Sequence, residues 1–400
     1  MSLSRVAPPF RVQIVIDLQH FEYFREVILG VRQYGFTTHR FVFADQWLAH
    51  ELKGDLPALV RRDGVQGIVA ALHSPEAERR FAALPVPVVN VSNTAQETKV
   101  PWVSRVTQDD EAVGRLAAGH LLACGCRTLG FWGEAGGCYS NQRLAGFRAA
   151  LAAAGQQRPP QVILTHQTKW SYPRVRTWLA AMARPVGIFA VLDPYALALI
   201  RAARELGWRV PEDVAVLGAA NDRFLVEFES VPLSSVQLPA KRIGCEAAAM
   251  LERLITRGAR GAESVRLPVN EIAVRRSTDI LHVDDPAVAK AALFIRAHAT
   301  ENPYVTDIAR AAGVSLSSLQ ARFQSVIGRS LLAEVRRVRL ARAQQLLADT
   351  ELPMSLVAER CGFPNSQQFS VLFRAGTGST PRDYRRRFRA DYSGTGGKAP

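Results

Sequence analysis

Over most of its length this chain alternates two hydrophobic periods, and that alternation limits its fold more than any other feature. Short apolar runs recur at Val12–Ile16, Gly67–Ala70, Val86–Val91, Thr128–Trp132, Val162–Leu164, Gly187–Leu192 and Val214–Gly218. They are too short for helices, and continuous apolar runs of this length suit strands covered on both faces. Between them lie segments with apolar residues three and four apart, such as Glu111–Leu122, Leu144–Ala153, Ala196–Leu206 and Ala240–Ile255. Strands alternating with helices build parallel sheets. A stretch of about 270 residues is large for one such unit, so the pattern predicts two α/β lobes. Ligands of open α/β sheets bind beyond the carboxyl ends of the strands. Arg143, Asp193 and Asn221 each follow a predicted strand or open the next helix, and Tyr23 and Arg25 follow the first strand. These residues are expected to converge on a cleft.

The alternation stops after Arg275-Arg-Ser-Thr-Asp279. Asp284-Asp285-Pro286 can cap and open a helix, and from there to Ala390 only helical patterns follow. This second part contains an internal repeat. Ile308-Ala309, Gly313, Leu319, Phe323 and Gly328 recur as Val357-Ala358, Gly362, Phe369, Phe373 and Gly378. The offset is 49 up to the first glycine and 50 after it, so one residue is inserted in the turn. In each copy a short helix ends at a glycine, and a capping residue, Ser315 or Asn365, opens a second helix. That is a helix-turn-helix layout. Leu319/Phe323 and Phe369/Phe373, four apart, mark the buried faces. The outward positions are Ser317, Ser318, Gln320, Ala321 and Gln324 in one copy, and Ser366, Gln367, Gln368, Ser370 and Val371 in the other. Gln and Ser can hydrogen-bond base edges in the major groove. Between the copies, Ser330–Asp349 reads as one amphipathic helix, with Leu332, Val335, Val338, Leu346 and Leu347 on its apolar face.

Charge supports the same division. Residues 286–390 hold 16 Lys+Arg against 7 Asp+Glu, and 15 of the 16 are Arg. This stretch supplies 9 of the chain's 14 excess positive charges. Arg374, Arg382 and Arg385–Arg387 are expected to meet phosphates, which orient a protein on DNA without reading sequence. No apolar stretch approaches the roughly 18 residues of a membrane span. Residues 1–9 lack the pattern of a secretory signal, and five cysteines, a sparse and odd number, do not point to a disulfide framework. A cytoplasmic protein with no membrane partner is expected.

Residues 286–389 resemble the AraC/XylS-type transcription-factor domain. The second copy carries the resemblance in Cys361-Gly-Phe363, Phe369-Ser370, Phe373-Arg374, Gly378, Thr380-Pro381 and Tyr384-Arg385. Ala321 departs from it, since many members carry Arg or Lys there. Most of residues 10–280 resembles the ligand-binding domain of lactose-repressor and periplasmic sugar-binding type. The matching stretches include Asn141-Gln-Arg143-Leu-Ala-Gly146-Phe147, Phe189-Ala-Val-Leu-Asp193 and Gly207-Trp-Arg-Val-Pro211. The resemblance implies a sugar ligand held by Tyr23, Arg25, Arg143, Asp193 and Asn221. Where the family has an acidic residue, this chain has Ala220, and Asp222 is a candidate substitute.

The fold expected is therefore multidomain: a two-lobed α/β, periplasmic-binding-protein-like domain followed by an all-α double helix-turn-helix domain. Residues 1–9 form an N-terminal tail, 10–280 the ligand-binding domain, 281–285 a linker, 286–390 the DNA-binding domain and 391–400 a disordered tail. The function implied is a homodimeric regulator that binds double-stranded operator DNA and activates a pentose catabolic operon. Its effector would be a pentose such as D-xylose, and an activator of this kind would also meet RNA polymerase. The alternative is an α/β-cleft enzyme acting on a sugar or nucleotide with an accessory DNA-binding domain. Gly133-Glu-Ala-Gly-Gly137 lacks the spacing of either phosphate-binding fingerprint. His120, Cys124, Cys126 and Cys138 lack zinc-finger spacing. No catalytic residue, metal or cofactor is assigned.

Overall fold

A computed structural model describes residues 8–16, 22–47, 50–94, 102–126, 128–166, 171–227, 230–259, 262–280, 285–350 and 352–390. The disordered tail expected at 391–400, and all but the ends of the expected N-terminal tail and linker, lie outside the described residues. The chain divides into two compact units, residues 1–280 and 281–400.

In the first unit the apolar runs become two six-stranded sheets. Strands β1 (Phe10–Val15), β2 (Phe41–Phe43), β3 (Gly67–Ala70), β4 (Val88–Asn90) and β5 (Val103–Gln108) build one. Strands β6 (Thr128–Glu134), β7 (Gln161–Thr165), β8 (Val186–Ala190), β9 (Val214–Ala220) and β10 (Ser234–Gln237) build the other. The chain then visits each sheet once more. β11 (Ser264–Leu267) runs parallel to β5, and β12 (Ile272–Ala273) closes the second sheet antiparallel to β10. Along the first sheet the order is β11-β5-β4-β3-β1-β2, and along the second β12-β10-β9-β8-β6-β7. The other pairings are parallel, so in each lobe the strands present their carboxyl ends at one edge.

Helices cover both sheets. In the first lobe these include α1 (Glu22–Thr38), α2 (Leu56–Arg62) and α3 (Pro75–Ala82). In the second they are α4 (Asp110–Ala123), α5 (Cys138–Ala153), α6 (Tyr172–Ala180), α7 (Asp193–Glu205) and the short α8 (Arg223–Glu227). The long α9 (Ala240–Arg257) returns to the first lobe and packs on α1. Two helix pairs cross at backbone contact. A Cβ on Gly114 of α4 would strike the Arg143 carbonyl of α5, and one on Gly146 would strike the Glu111 carbonyl. Gly30 of α1 and Gly244 of α9 meet in the same way. Only a residue without a side chain allows such an approach.

The second unit is helical: α10 (Pro286–His298), α11 (Val305–Ala312), α12 (Leu316–Ile327), α13 (Leu331–Asp349), α14 (Met354–Arg360), α15 (Ser366–Thr377) and α16 (Pro381–Ala390). The repeat is realised as α11–turn–α12 and α14–turn–α15. Gly313 and Gly362 sit in the turns at φ of 73° and 74°. Ser315 and Asn365 cap the second helices, each side chain accepting a backbone N–H three residues on. Leu319, Phe323, Phe369 and Phe373 are fully buried. Each copy has its own apolar core, and α13 contributes to both. Leu331 and Val335 enter the first, while Ala343, Leu346 and Leu347 enter the second. One assignment on α13 is corrected. Leu332 is 62% exposed, and its neighbour Leu331 takes the inward position. The cap at Ser330 starts the helix at Leu331 and so fixes which residue faces in.

Candidate functional site

The carboxyl ends of strands from both sheets surround one cavity of about 320 Å³. That lies at the lower end of the range for small-molecule pockets, roughly 300–1,000 Å³. His73 follows β3, Ser92 to Thr94 follow β4, and Gln108 ends β5. Glu134 ends β6, Leu192 follows β8, and Ala220 ends β9. Tyr23, Phe24, Tyr139 and Arg143 complete much of the wall. The lining mixes hydrogen-bonding groups with three aromatic faces.

Arg143 organises this wall. Its side chain is 2% exposed. Its Nε donates to Asp110 Oδ1 at 2.7 Å, and its Nη1 donates to the Val191 carbonyl at 2.5 Å. The guanidinium also lies over the Tyr139 ring, 5.1 Å from its centroid. Tyr139 and Arg143 are four apart on α5 and therefore share a face. The fully buried Asp110, first residue of α4, also accepts from Gln108 Nε2 and Asn93 Nδ2. Tyr23 donates its hydroxyl to Gln108 Oε1 at 2.8 Å. Burial pushes the Tyr23 hydroxyl well above its usual pKa, and Tyr139 likewise, where the Glu134 carboxylate adds to the effect. Both phenols therefore stay protonated and can donate. Tyr139 donates to Glu134 Oε2.

Hydrogen bonds tie the lobes across the cavity. The first two N–H groups of α5, from Cys138 and Tyr139, donate to the Thr94 and Asn93 carbonyls of the first lobe. Asn93 Nδ2 donates to Gln142 Oε1 at 2.9 Å. At a second place the capping is reciprocal. Asp222 Oδ2 accepts from the Glu22 N–H that opens α1, and Glu22 Oε2 accepts from the Arg223 N–H that opens α8. Burial, then the Asp222 carboxyl beside it, raise the Glu22 pKa to about 7.

The remaining expected ligand residues fall elsewhere. Arg25 is exposed on α1 and does not line the cavity. A helix turns about 100° per residue, so position 25 faces away from Tyr23. Asp193, Asn221 and Asp222 are buried beside the wall but are not part of its lining. Asp193 accepts from Ser235 Oγ at 2.6 Å and from the Asp222 N–H at 2.8 Å. Its burial raises its pKa to about 6. Asn221 Nδ2 donates to Gln237. This group holds the turn after β9, where Ala220 and Asn221 both have positive φ, 114° and 55°. Ala220, the position that departs from the family pattern, itself lines the cavity. Sequence reasoning missed Asp110, Gln108, Asn93, Glu134 and Tyr139. Glu134 had a usable signal, since it closes the strand begun by the apolar run Thr128–Trp132, and Tyr139 had its spacing from Arg143.

In the second unit the expected DNA-reading residues separate by exposure. Ser317 and Gln320 on α12 are exposed, and Ser318 is half-buried. Ser366, Gln367, Gln368 and Arg374 on α15 are exposed, as is Arg382 on α16. Ser370 is half-buried and returns its hydroxyl to the Ser366 carbonyl at 2.8 Å, as short hydroxyls in helices often do. Arg385 is half-buried, and its Nη2 donates to the Leu352 carbonyl at 2.6 Å. This bond joins α16 to the loop before α14. Arg322, which the sequence did not single out, bonds Asp285 twice at 2.6 Å and ties α12 to the cap of α10.

A two-lobed ligand cavity and a doubled helix-turn-helix in one chain define a class. Residues 118–278 match the periplasmic binding protein-like domain, and residues 308–387 match the helix-turn-helix domain. The chain is 30% identical over 234 residues to an HTH-type transcriptional regulator of Bacillus subtilis, DegA, covering 56% of this chain and 67% of that protein. It belongs to the HTH-type transcriptional regulators. It is also similar to the xylose operon regulatory protein of Escherichia coli K12, with 29% identity over 326 residues, covering 80% of this chain and 83% of that protein. A solved structure of a xylose-binding transcription activator, xylR, superposes with a TM-score of 0.62 at 26% identity, covering 94% of this chain and 98% of that one.

Proposed function

We propose that this chain is a sugar-responsive transcriptional regulator that activates a pentose catabolic operon, with a xylose-like effector. The observation that carries this reading is the cavity enclosed by hydrogen bonds between the lobes, in a chain that also bears two helix-turn-helix copies. Sugars present adjacent donors and acceptors around an apolar ring face. The Arg143, Gln108, Asn93 and Glu134 side chains offer matching polar groups, and Tyr23, Phe24 and Tyr139 offer faces. Tyr23 and Arg143 meet the ligand directly, while Asp193, Asn221 and Asp222 hold the wall from behind. Residues 10–280 sense, and 286–390 bind operator DNA through Ser317, Gln320, Ser366, Gln367 and Gln368, with Arg374 and Arg382 on phosphates. The regulator works in the cytoplasm as a homodimer and meets RNA polymerase at the promoter. A ligand shifts such an equilibrium only through its different affinity for the two arrangements.

The test is thermal stability of the purified protein with pentoses and hexoses, because a ligand of the folded state raises the melting temperature by mass action. A pentose is expected to raise it, and Arg143→Ala to remove the shift. No shift with any sugar would overturn the effector assignment. The enzyme alternative draws on one contact, Ser92 Oγ against His73 Nδ1 at 3.0 Å in the cavity wall. Recovery of the stabilising sugar unchanged after long incubation would exclude turnover of it.

A further inference from the structure

We propose that Val371 reads the methyl group of a thymine in the major groove, and so helps to set the operator sequence. The inference rests on the DNA-binding reading of residues 286–390. Helix α15 buries Phe369 and Phe373 completely, which fixes the opposite stripe outward. Gln367, Val371 and Arg374 lie on that stripe, at spacings of four and three residues. Val371 is 65% exposed. A β-branched residue is a mediocre helix former. At this exposure it gains little burial from its own fold, so its apolar surface is available to a partner.

The neighbours indicate what the partner is. One turn before Val371 is an amide that suits the N6/N7 edge of adenine, and one turn after is a guanidinium that suits phosphate or guanine. Among base edges in the major groove, thymine alone offers an apolar group, its C5-methyl. Gln367 and Val371 are about 6 Å apart along the helix. Base pairs are about 3.4 Å apart, so the methyl belongs to a pair one or two steps from the one that Gln367 reads. In the first copy the equivalent residue is Ala321, also exposed. Its side chain is a single methyl and reaches less far. The thymine preference therefore belongs to the half-site under α15.

The full-length protein would first select binding sites from a pool of random duplexes. Thymines of the selected site would then be replaced singly by deoxyuridine, which removes only the methyl. One replacement is expected to weaken wild-type binding by about fourfold, the effect of one buried methyl group. Val371→Ala should be indifferent to that replacement and bind unselected duplex as tightly as wild type. The proposal is overturned if no replacement matters to wild type, or if Val371→Ala retains the same loss. Failure to enrich any sequence would overturn the DNA-binding reading itself, and this proposal with it.

Discussion

The cavity and the outward faces of the helix-turn-helix copies use polar side chains in opposite ways. Around the cavity the polar groups are buried and bonded to one another. Arg143 and Asp110 are 2% and 0% exposed, and between them they engage Gln108, Asn93 and the Val191 carbonyl. On α15, Gln367 and Arg374 are exposed, and the helix is fixed from behind by Phe369 and Phe373. A cavity residue therefore carries fold and function together. A residue on the outward face of α15 contributes little to the fold. Buried charges must be paired because an unpaired one is costly, whereas exposed ones remain solvated until DNA replaces the water.

Three substitutions test this difference, beginning with the largest effect. Arg143→Ala leaves Asp110 buried without its cation, a loss of about 3–5 kcal/mol for a broken buried pair. Denaturant unfolding should show a large loss of stability, together with loss of sugar binding. Stability equal to wild type would mean that the cavity network is not part of the fold. Gln367→Ala should leave the unfolding curve unchanged and weaken operator binding by about 1–3 kcal/mol. Binding to unselected DNA should hold, and equal losses on both would remove the assignment to base readout.

The third test is the pH response at Glu22. Its folded pKa is raised from 4.5 to about 7. The folded form thus holds the proton more tightly, and this contribution to stability is complete below about 4.5 and lost as pH rises to 7. Asp193 contributes a similar slope up to about pH 6. Glu22→Gln keeps an acceptor for the Arg223 N–H and a donor for Asp222. It should flatten the fall in melting temperature between pH 5 and 7.5, leaving the part due to Asp193. An identical slope in both proteins would exclude Glu22 as the titrating group.

Much of this was legible in the sequence. The repeat alone placed both turn glycines, both caps and the buried pairs Leu319/Phe323 and Phe369/Phe373, because a helix repeats its faces every three to four residues. The strands that were read are predominantly apolar ones. β5, Val-Ser-Arg-Val-Thr-Gln, was not read, because four of its six residues are long or hydroxylic polar groups. All six are buried, since Arg105 finds Glu78 on α3 at 2.5 Å and Gln108 finds Asp110. Leu332 was misplaced for a different reason: two adjacent leucines at a helix start cannot both face inward.

The sequence by itself determined the class of each domain and the outward face of the second helix in each repeat. These are local matters of period, capping and charge. Tertiary structure decided which polar residues form the cavity. Arg143 could be recognised, but its partner Asp110 lies 33 residues away and meets it only because Gly114 and Gly146 let α4 and α5 touch. It also decided that Arg25 leaves the cavity wall. A side chain's direction depends on what packs beside it, and those neighbours come from distant parts of the chain.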